Sequence, residues 1–266
     1  MLALALLIAM GAQTANGAAR LELVPIGPLR RDLETRVEAG DSYAMVGLAE
    51  LQLAEGGNVT EALQLLRRAG ASGQPCALLR AARIGRSVLI DLVTADSDLE
   101  RAVTLGCPDA NFELATMLLS QNRDGARAND LLTQLAANGD ARALLFMARA
   151  QVEGRGFGNL GDAKTLYRRA AISGTAEAQG ELARLLLTEF ETTGAIQPLR
   201  EALYWALILS ARGGDAARAQ ARQISEVATT RLGRKAVADI QNAAARYANG
   251  RYTLPAQSER AVRNRP

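Results

Sequence analysis

The chain of 266 residues contains no histidine, which removes the usual general base of nucleophilic triads and a common zinc ligand. Two cysteines alone cannot build a structural zinc site. Aromatic residues make up only 4% of a chain that is 48% hydrophobic, which favours closely packed alanine- and leucine-rich helices. The net charge of +3 is too small for a dedicated nucleic-acid binder. We therefore predict no metal site, no cofactor and no specific nucleic-acid partner.

Long hydrophobic runs are also missing, except at the N-terminus. Residues Leu2 to Met10 are all apolar, and small and polar residues follow through Ala19. This length suits the core of a secretory signal peptide and is too short to span a bilayer. No lysine or arginine precedes the run, so a start codon further upstream or a short amphipathic helix are the alternatives. We predict cleavage after Gly17 or Ala19, no transmembrane segment, and a periplasmic or secreted protein.

A glycine recurs along the chain every 33 to 35 residues. The five positions are Gly40, Gly73, Gly106, Gly139 and Gly174. Alanines stand four and nine residues after each glycine, and a leucine or tyrosine stands seven residues before it. Glycine ends helices in a left-handed conformation, and alanine lets helix backbones approach closely. Each period is therefore predicted to be a helix, a tight turn and a second helix, and such units bury their apolar faces by stacking.

One copy of the repeat, Ala163 to Ala183, is clearer than the others and reads AKTLYRRAAISGTAEAQGELA. Its alanine, aromatic residue, basic pair, Ala-Ala, turn glycine and Ala-Glu-Ala-Gln resemble the Sel-one-like (Sel1-like) repeat, a branch of the tetratricopeptide-type helical repeats. The loop Glu153 to Phe157, with Asp162 after it, resembles the glycine-rich connector of that family. The resemblance extends over about Leu29 to Ala219. It implies an α-solenoid that binds other proteins, and it implies no catalytic site.

We predict an all-α, right-handed α-solenoid of about six helix-turn-helix repeats, with a helix capping its C-terminal end. The sixth repeat is looser and turns at Gly213. The predicted segments are a signal peptide (1–19), an extended lead-in (20–28), the helical repeat solenoid (29–230), the capping helix (231–249) and a disordered basic tail (250–266).

Two stretches depart from the repeat. From Ala183 to Ala202 there are 19 residues where earlier copies have 13 or 15, and the surplus at 191–198 predicts a loop insertion. The stretch Ser87 to Thr94 is β-branched and either extends a helix or forms a loop. Either Asp96 or Ser97 is then expected to cap the next helix.

Cys76 and Cys107 lie in the inter-helix turns of consecutive repeats. An oxidising compartment would permit a disulfide between them. Their offsets from the turn glycines differ, however, and we take neighbouring turns to lie near the ~10 Å spacing of packed helices. A disulfide needs Cα atoms within ~7 Å, so we expect two small, partly buried thiols.

The second helix of each repeat has one face formed by the positions three, seven and ten residues past the glycine. These positions vary and carry charge, whereas the alanine positions are uniform. We predict that this face lines a concave groove for a protein or peptide, with aromatic contacts and arginines that pair with anions. An ordinary solvated helix face is the alternative. The predicted binding residues are Tyr43, Arg80, Arg83, Glu113, Arg142, Phe146, Arg149, Glu181 and Arg184.

Tyr204 and Trp205, beside the predicted loop at 191–198, form a second candidate surface. A tryptophan at this helical position belongs more often to the core, which is the interpretation that we prefer.

We therefore predict a non-enzymatic protein–protein interaction module that scaffolds or regulates a bacterial cell-envelope system. The family resemblance implies two candidate roles, which the sequence does not separate: holding a sensor kinase off, or scaffolding exopolysaccharide assembly. One rival is an envelope hydrolase or lyase that uses carboxylates alone, such as Glu189 and Glu191. It would need two acids with raised pKa values in one cleft. The other rival is a polyanion binder that uses the arginine-rich tail, and its binding would weaken steeply with salt.

Overall fold

In the computed structural model, residues 26–89, 91–155 and 161–248 are described, and no strand occurs in that part of the chain. The all-α fold class predicted from the sequence is therefore confirmed. The chain divides into two compact units, residues 1–121 and 122–266.

The first unit contains six α-helices and one π-helical turn among its described residues. They are α1 (Ile26–Glu38), α2 (Ser42–Ala54), α3 (Val59–Ala71), α4 (Pro75–Ile84), the π-helical turn Gly85–Leu89, α5 (Leu92–Thr104) and α6 (Ala110–Ser120). The second unit contains seven α-helices in its described part. They are α7 (Gly125–Ala137), α8 (Ala141–Val152), α9 (Ala163–Ile172), α10 (Ala176–Thr193), α11 (Ile196–Arg212), α12 (Asp215–Leu232) and α13 (Arg234–Ala248).

The recurring glycines end the first helix of each repeat, as predicted. All five have a positive φ, between 84° and 96°, which only glycine adopts without strain. At Gly40 the backbone N–H donates to the Val37 carbonyl at 3.0 Å, and the next N–H donates to the Arg36 carbonyl at 2.9 Å. This pair of bonds is the Schellman motif, and it satisfies carbonyls that the helix end would otherwise leave free. Gly213, the turn of the looser sixth repeat, has a φ of −94° and an extended backbone instead.

The alanine positions lie where helices cross. The alanines four and nine residues after each recurring glycine are at most 3% exposed. The leucine or tyrosine seven residues before each glycine is at most 8% exposed. Their burial explains why these positions are uniform: a larger side chain would push neighbouring helices apart.

The surplus residues at 191–198 are mostly helical, so the prediction that they form a loop insertion is wrong. Helix α10 continues to Thr193, and α11 begins at Ile196 after a turn at Gly194, where φ is 68°. The insertion therefore lengthens two helices, to 18 and 17 residues, rather than forming a loop.

Two predicted helix starts also need correction. Helix α5 begins at Leu92, and its N-cap is Asp91, whose side chain accepts from the Thr94 N–H at 3.1 Å. The expected cap at 96–97 therefore lies inside the helix. Helix α1 begins at Ile26, so the last residues of the predicted lead-in are helical, with Pro28 in the first turn, where proline is tolerated. The predicted signal peptide and basic tail lie outside the described residues.

Cys76 and Cys107 form a disulfide, with their Cα atoms 5.1 Å apart, so the expectation of two free thiols is wrong. The error came from using the spacing of helix axes. Cα atoms lie ~2.3 Å from their helix axis, so facing Cα atoms of helices ~10 Å apart approach to about 5 Å. In addition, Cys107 lies before α6 begins, so it is not held on a helix axis.

Helix α13 packs against α11 and α12 and buries Val237, Ile240 and Ala244. The Tyr247 hydroxyl, on the same helix, donates to the Ile172 carbonyl at the end of α9 at 3.0 Å. The last described helix is therefore amphipathic, as predicted, and it contacts both the sixth repeat and the end of α9 in the fifth.

Candidate partner-binding face

The predicted binding residues of the first unit lie on α2, α4 and α6, the second helices of its three repeats. Tyr43 is 72% exposed, so its ring is accessible to a partner. Arg80 on α4 forms an ion pair with Glu50 on α2. Arg83, one turn further along α4, donates from Nε to Glu113 Oε1 on α6 at 2.7 Å. The arginines that we expected to meet a partner's anions therefore already pair with glutamates of neighbouring repeats.

The predicted residues of the second unit lie on α8 and α10, and their charges are paired in the same way. Arg149 on α8 forms an ion pair with Glu177 on α10, and Arg184 pairs with Glu181 within α10. Arg142 Nη2 donates to Asp140 Oδ2 at 2.8 Å. Phe146 on α8, the second predicted aromatic contact, is half-buried rather than exposed.

Asp140 has two roles at the start of α8. Its Oδ1 accepts from the backbone N–H of Arg142 at 2.8 Å and of Ala143 at 3.3 Å, which caps the helix. The hydrogen bond from the Arg142 side chain, together with these backbone bonds, lowers the pKa of the Asp140 carboxyl below its ordinary value. Similarly, the hydrogen bond with Glu177 raises the pKa of the Arg149 guanidinium. These groups therefore keep their charges at neutral pH, and the face is a mosaic of fixed, paired charges.

Paired charges on this face do not prevent binding. Exposed ion pairs contribute about 0–1 kcal/mol, because water screens them and long side chains lose entropy in forming them. A carboxylate of a partner can therefore replace Glu50 beside Arg80 at little cost. Exposed apolar side chains such as Tyr43 have no such internal competitor. In the first unit this surface therefore offers one exposed aromatic ring, that of Tyr43, and arginines held in exposed ion pairs.

The structure does not bring the residues of the rival enzyme together into a site. Glu189 accepts from the Lys164 ammonium at 2.8 Å, and Glu191 is exposed. Within the described ranges no cluster of three or more histidine, cysteine, aspartate or glutamate side chains could hold a metal ion. None of the helices that the structure describes combines the length and apolar character needed to cross a bilayer.

The second candidate surface is mainly core. Trp205 is 1% exposed, and its indole Nε1 donates to Glu201 Oε1 at 3.3 Å. Its ring contacts Tyr204 and Tyr247 edge to face. The preferred interpretation of Trp205 as a core residue is confirmed.

Sequence reasoning missed the ion pairs that join successive repeats on the candidate face. Arg80 lies 30 residues after Glu50, and Glu113 lies 30 residues after Arg83. Opposite charges recurring at nearly the repeat length were a usable signal for these contacts.

No protein-family model matches the chain, and no curated protein matches it. Solved structures do match. The crystal structure of c5321, a protective antigen of uropathogenic Escherichia coli with an SLR (Sel1-like repeat) fold, has a TM-score of 0.63 at 16% identity, covering 89% of this chain and 52% of c5321. A Sel1 repeat protein from Oxalobacter formigenes has a TM-score of 0.48 at 20% identity, covering 59% of this chain and 66% of that one.

The likeness to c5321 defines the class: this chain has a helical-repeat fold. That fold is similar to the SLR fold of c5321, in agreement with the resemblance carried by the residues of the clearest copy. The chain spans about half the length of c5321, and at this identity the likeness concerns the fold alone.

Proposed function

We propose that this protein is a non-enzymatic interaction module that scaffolds or regulates a cell-envelope system of a bacterium. The observation that carries the proposal is the contrast between the two sides of each second helix. The buried side carries alanine at the same two positions of every repeat, whereas the exposed side differs from repeat to repeat and presents Tyr43 to solvent. The exposed ring of Tyr43 and the variable charged positions form the surface that the proposal assigns to a partner.

Export to the periplasm or beyond is part of the proposal. The apolar run at Leu2–Met10 has the length of a signal-peptide core. The disulfide between Cys76 and Cys107 supports the same location, because disulfides persist in oxidising compartments. Intact-mass analysis of the chain recovered from the periplasm should give a mature N-terminus at Ala18 or Arg20. A full-length mass in the cytoplasmic fraction would contradict export.

The binding face is tested by capture from envelope extract with the tagged mature chain, Arg20–Pro266. Tyr43→Ala is the cleanest variant, because a side chain that is 72% exposed contributes little to stability. A second variant combines Arg142→Ala with Arg149→Ala. Tyr43→Ala should lose a partner that the parent captures, and the double arginine variant should hold it more weakly, while the melting temperatures of both stay close to that of the parent.

A matched control changes the exposed side of a first helix. Asp130→Ala with Gln134→Ala alters two exposed residues of α7, one turn apart, and should retain the partner. Phe146→Ala is informative only beside its melting curve, because Phe146 is half-buried. Equal capture by the parent, both face variants and the α7 control would refute the assignment of the face.

A further inference from the structure

A groove opens between α11 and α12 of the second unit. Its volume is about 690 Å³. Leu207 and Ser210 of α11 line one side, and a row of α12 side chains lines the other. The α12 residues are Arg218, Ala221, Arg222, Ser225, Glu226, Thr229 and Thr230.

The groove is on the side of α12 where a further repeat would stack. On the opposite side of α12, Gln220 Nε2 donates to the Gly180 carbonyl of α10 at 3.0 Å, so successive second helices lie side by side. Beyond α12 the described residues contain only one more helix, α13, which packs mainly on α11. The place of the next second helix is therefore open in the part of the chain that the structure describes.

The chemistry of the lining favours an acidic partner. Arg222 is exposed and has no hydrogen-bond or ion-pair partner among the described residues. Arg218, one turn before it, is held only by Asp215, at 3.0 Å, and that pair is exposed. Two guanidinium groups one turn apart match two carboxylates one turn apart on a second helix. Glu226, one turn after Arg222, reverses the charge at the far end of the row.

Most hydroxyl groups of the lining already donate to backbone carbonyls, which leaves the two arginines as the main donors for a partner. Ser210 donates to the Leu207 carbonyl at 2.8 Å, and Thr229 donates to the Ser225 carbonyl at 2.7 Å. Thr230 donates to the Glu226 carbonyl at 3.1 Å. No aromatic ring, on which a sugar could stack, is among the described lining residues. The combination suits polar protein side chains better than a glycan.

We propose that the groove between α11 and α12 binds an acidic helix of a protein partner, which takes the place of the next second helix. Successive second helices of the chain run parallel, because two antiparallel turns separate them, and in this proposal the partner helix likewise runs parallel to α12. Its order from the N-terminus is then two acidic residues opposite Arg218 and Arg222, followed by a basic residue opposite Glu226. The basic tail of the chain itself has the wrong charge, with Arg251, Arg260, Arg263 and Arg265 against Glu259.

The test is a titration of the ¹⁵N-labelled full-length chain with a synthetic alanine-based helix of about 18 residues, long enough to be helical. The probe carries Glu, Glu and Lys in that order, each four residues apart. The control peptide has the same composition in the reverse order, Lys, Glu, Glu. We expect the amide signals of α12 and α11 to shift with the probe and the control to bind more weakly.

Variants locate the contact. Arg222→Gln should weaken binding of the probe about fivefold, as the loss of one exposed charged pair allows. Arg231→Gln removes an exposed arginine of α12 outside the groove and should leave binding unchanged. Tyr43→Ala should also leave it unchanged, which separates this site from the proposed partner-binding face.

Four outcomes would overturn the proposal: no shifts with the probe, shifts confined to other helices, equal binding of both peptides, or binding that occurs only after deletion of residues 249–266. The last outcome would mean that the tail itself occupies the groove.

Discussion

Replacing Cys76 and Cys107 together by alanine should destabilise the first unit by roughly 3–4 kcal/mol. The two cysteines are 31 residues apart, and the disulfide joins the start of α4 to the turn before α6. In the chain-entropy model, closing a loop of this length in the unfolded chain stabilises the folded state by about 3.7 kcal/mol at 25 °C. Alanine is preferred to serine at position 107, because Cys107 is 1% exposed and a buried hydroxyl would add a separate cost.

Urea unfolding followed by circular dichroism measures this effect. With a slope of about 1–3 kcal/mol per molar urea, the predicted loss lowers the midpoint by roughly 1–4 M. Adding a phosphine reductant to the parent should lower its midpoint similarly, whereas the same reductant should leave the double alanine variant unchanged. That second measurement separates loss of the disulfide from any packing change caused by alanine.

Two results would refute the reasoning. Thiol titration of the unfolded, unreduced protein from the periplasm should find no free thiol, so two reactive thiols would show that the disulfide does not form. An unchanged urea midpoint on reduction would show that the disulfide forms but does not constrain the unfolded chain as the model assumes.

Three further predictions concern the repeat and its helix caps. Gly174→Ala should cost about 1–2 kcal/mol in urea unfolding, because Gly174 has a φ of +91°, whereas Gly125→Ala, at the start of α7 with open space around it, should be neutral or stabilising. Gly70→Ala should cost about 1–3 kcal/mol, because a Cβ there would overlap the Leu78 side chain where α3 and α4 approach each other. Asp140 has a lowered pKa in the folded chain, so its stabilisation is present above the ordinary value of 3.8 and is lost as the pH falls; the melting temperature of Asp140→Asn should therefore fall less than that of the parent in acid.

The turn glycines and alanine positions were predictable because each depends on one local requirement. A backbone with φ near +90° requires glycine, and a close helix crossing requires a small side chain. These requirements repeat with the same period, so the sequence displays them directly. The position of the five glycines and the burial of the alanines follow from this rule without any knowledge of long-range contacts.

The features that sequence reasoning missed depend on partners distant in the chain. Asp96 was expected to cap α5, but its carboxylate accepts from the Gln121 side chain at 2.8 Å. Asp98, which is 2% exposed, pairs with Arg67 of α3 at 2.8 Å. Aspartate is both a good helix cap and a good ion-pair partner, and local sequence does not separate the two roles. The same holds for the candidate face, whose arginines could be assigned as anion partners but whose internal glutamates could not.

The internal ion pairs change what the candidate face demands of a partner. If Arg80 and Arg83 were without partners, charge alone could supply much of the affinity, and any polyanion would compete. Because each already pairs with a glutamate, a partner gains only the difference between two exposed ion pairs, which is small. For the proposed partner-binding face we therefore expect affinity to come mainly from apolar contact with the ring of Tyr43. Replacing Tyr43 by alanine should therefore weaken capture of the partner more than replacing Arg80, and the order would be reversed if charge supplied most of the binding energy.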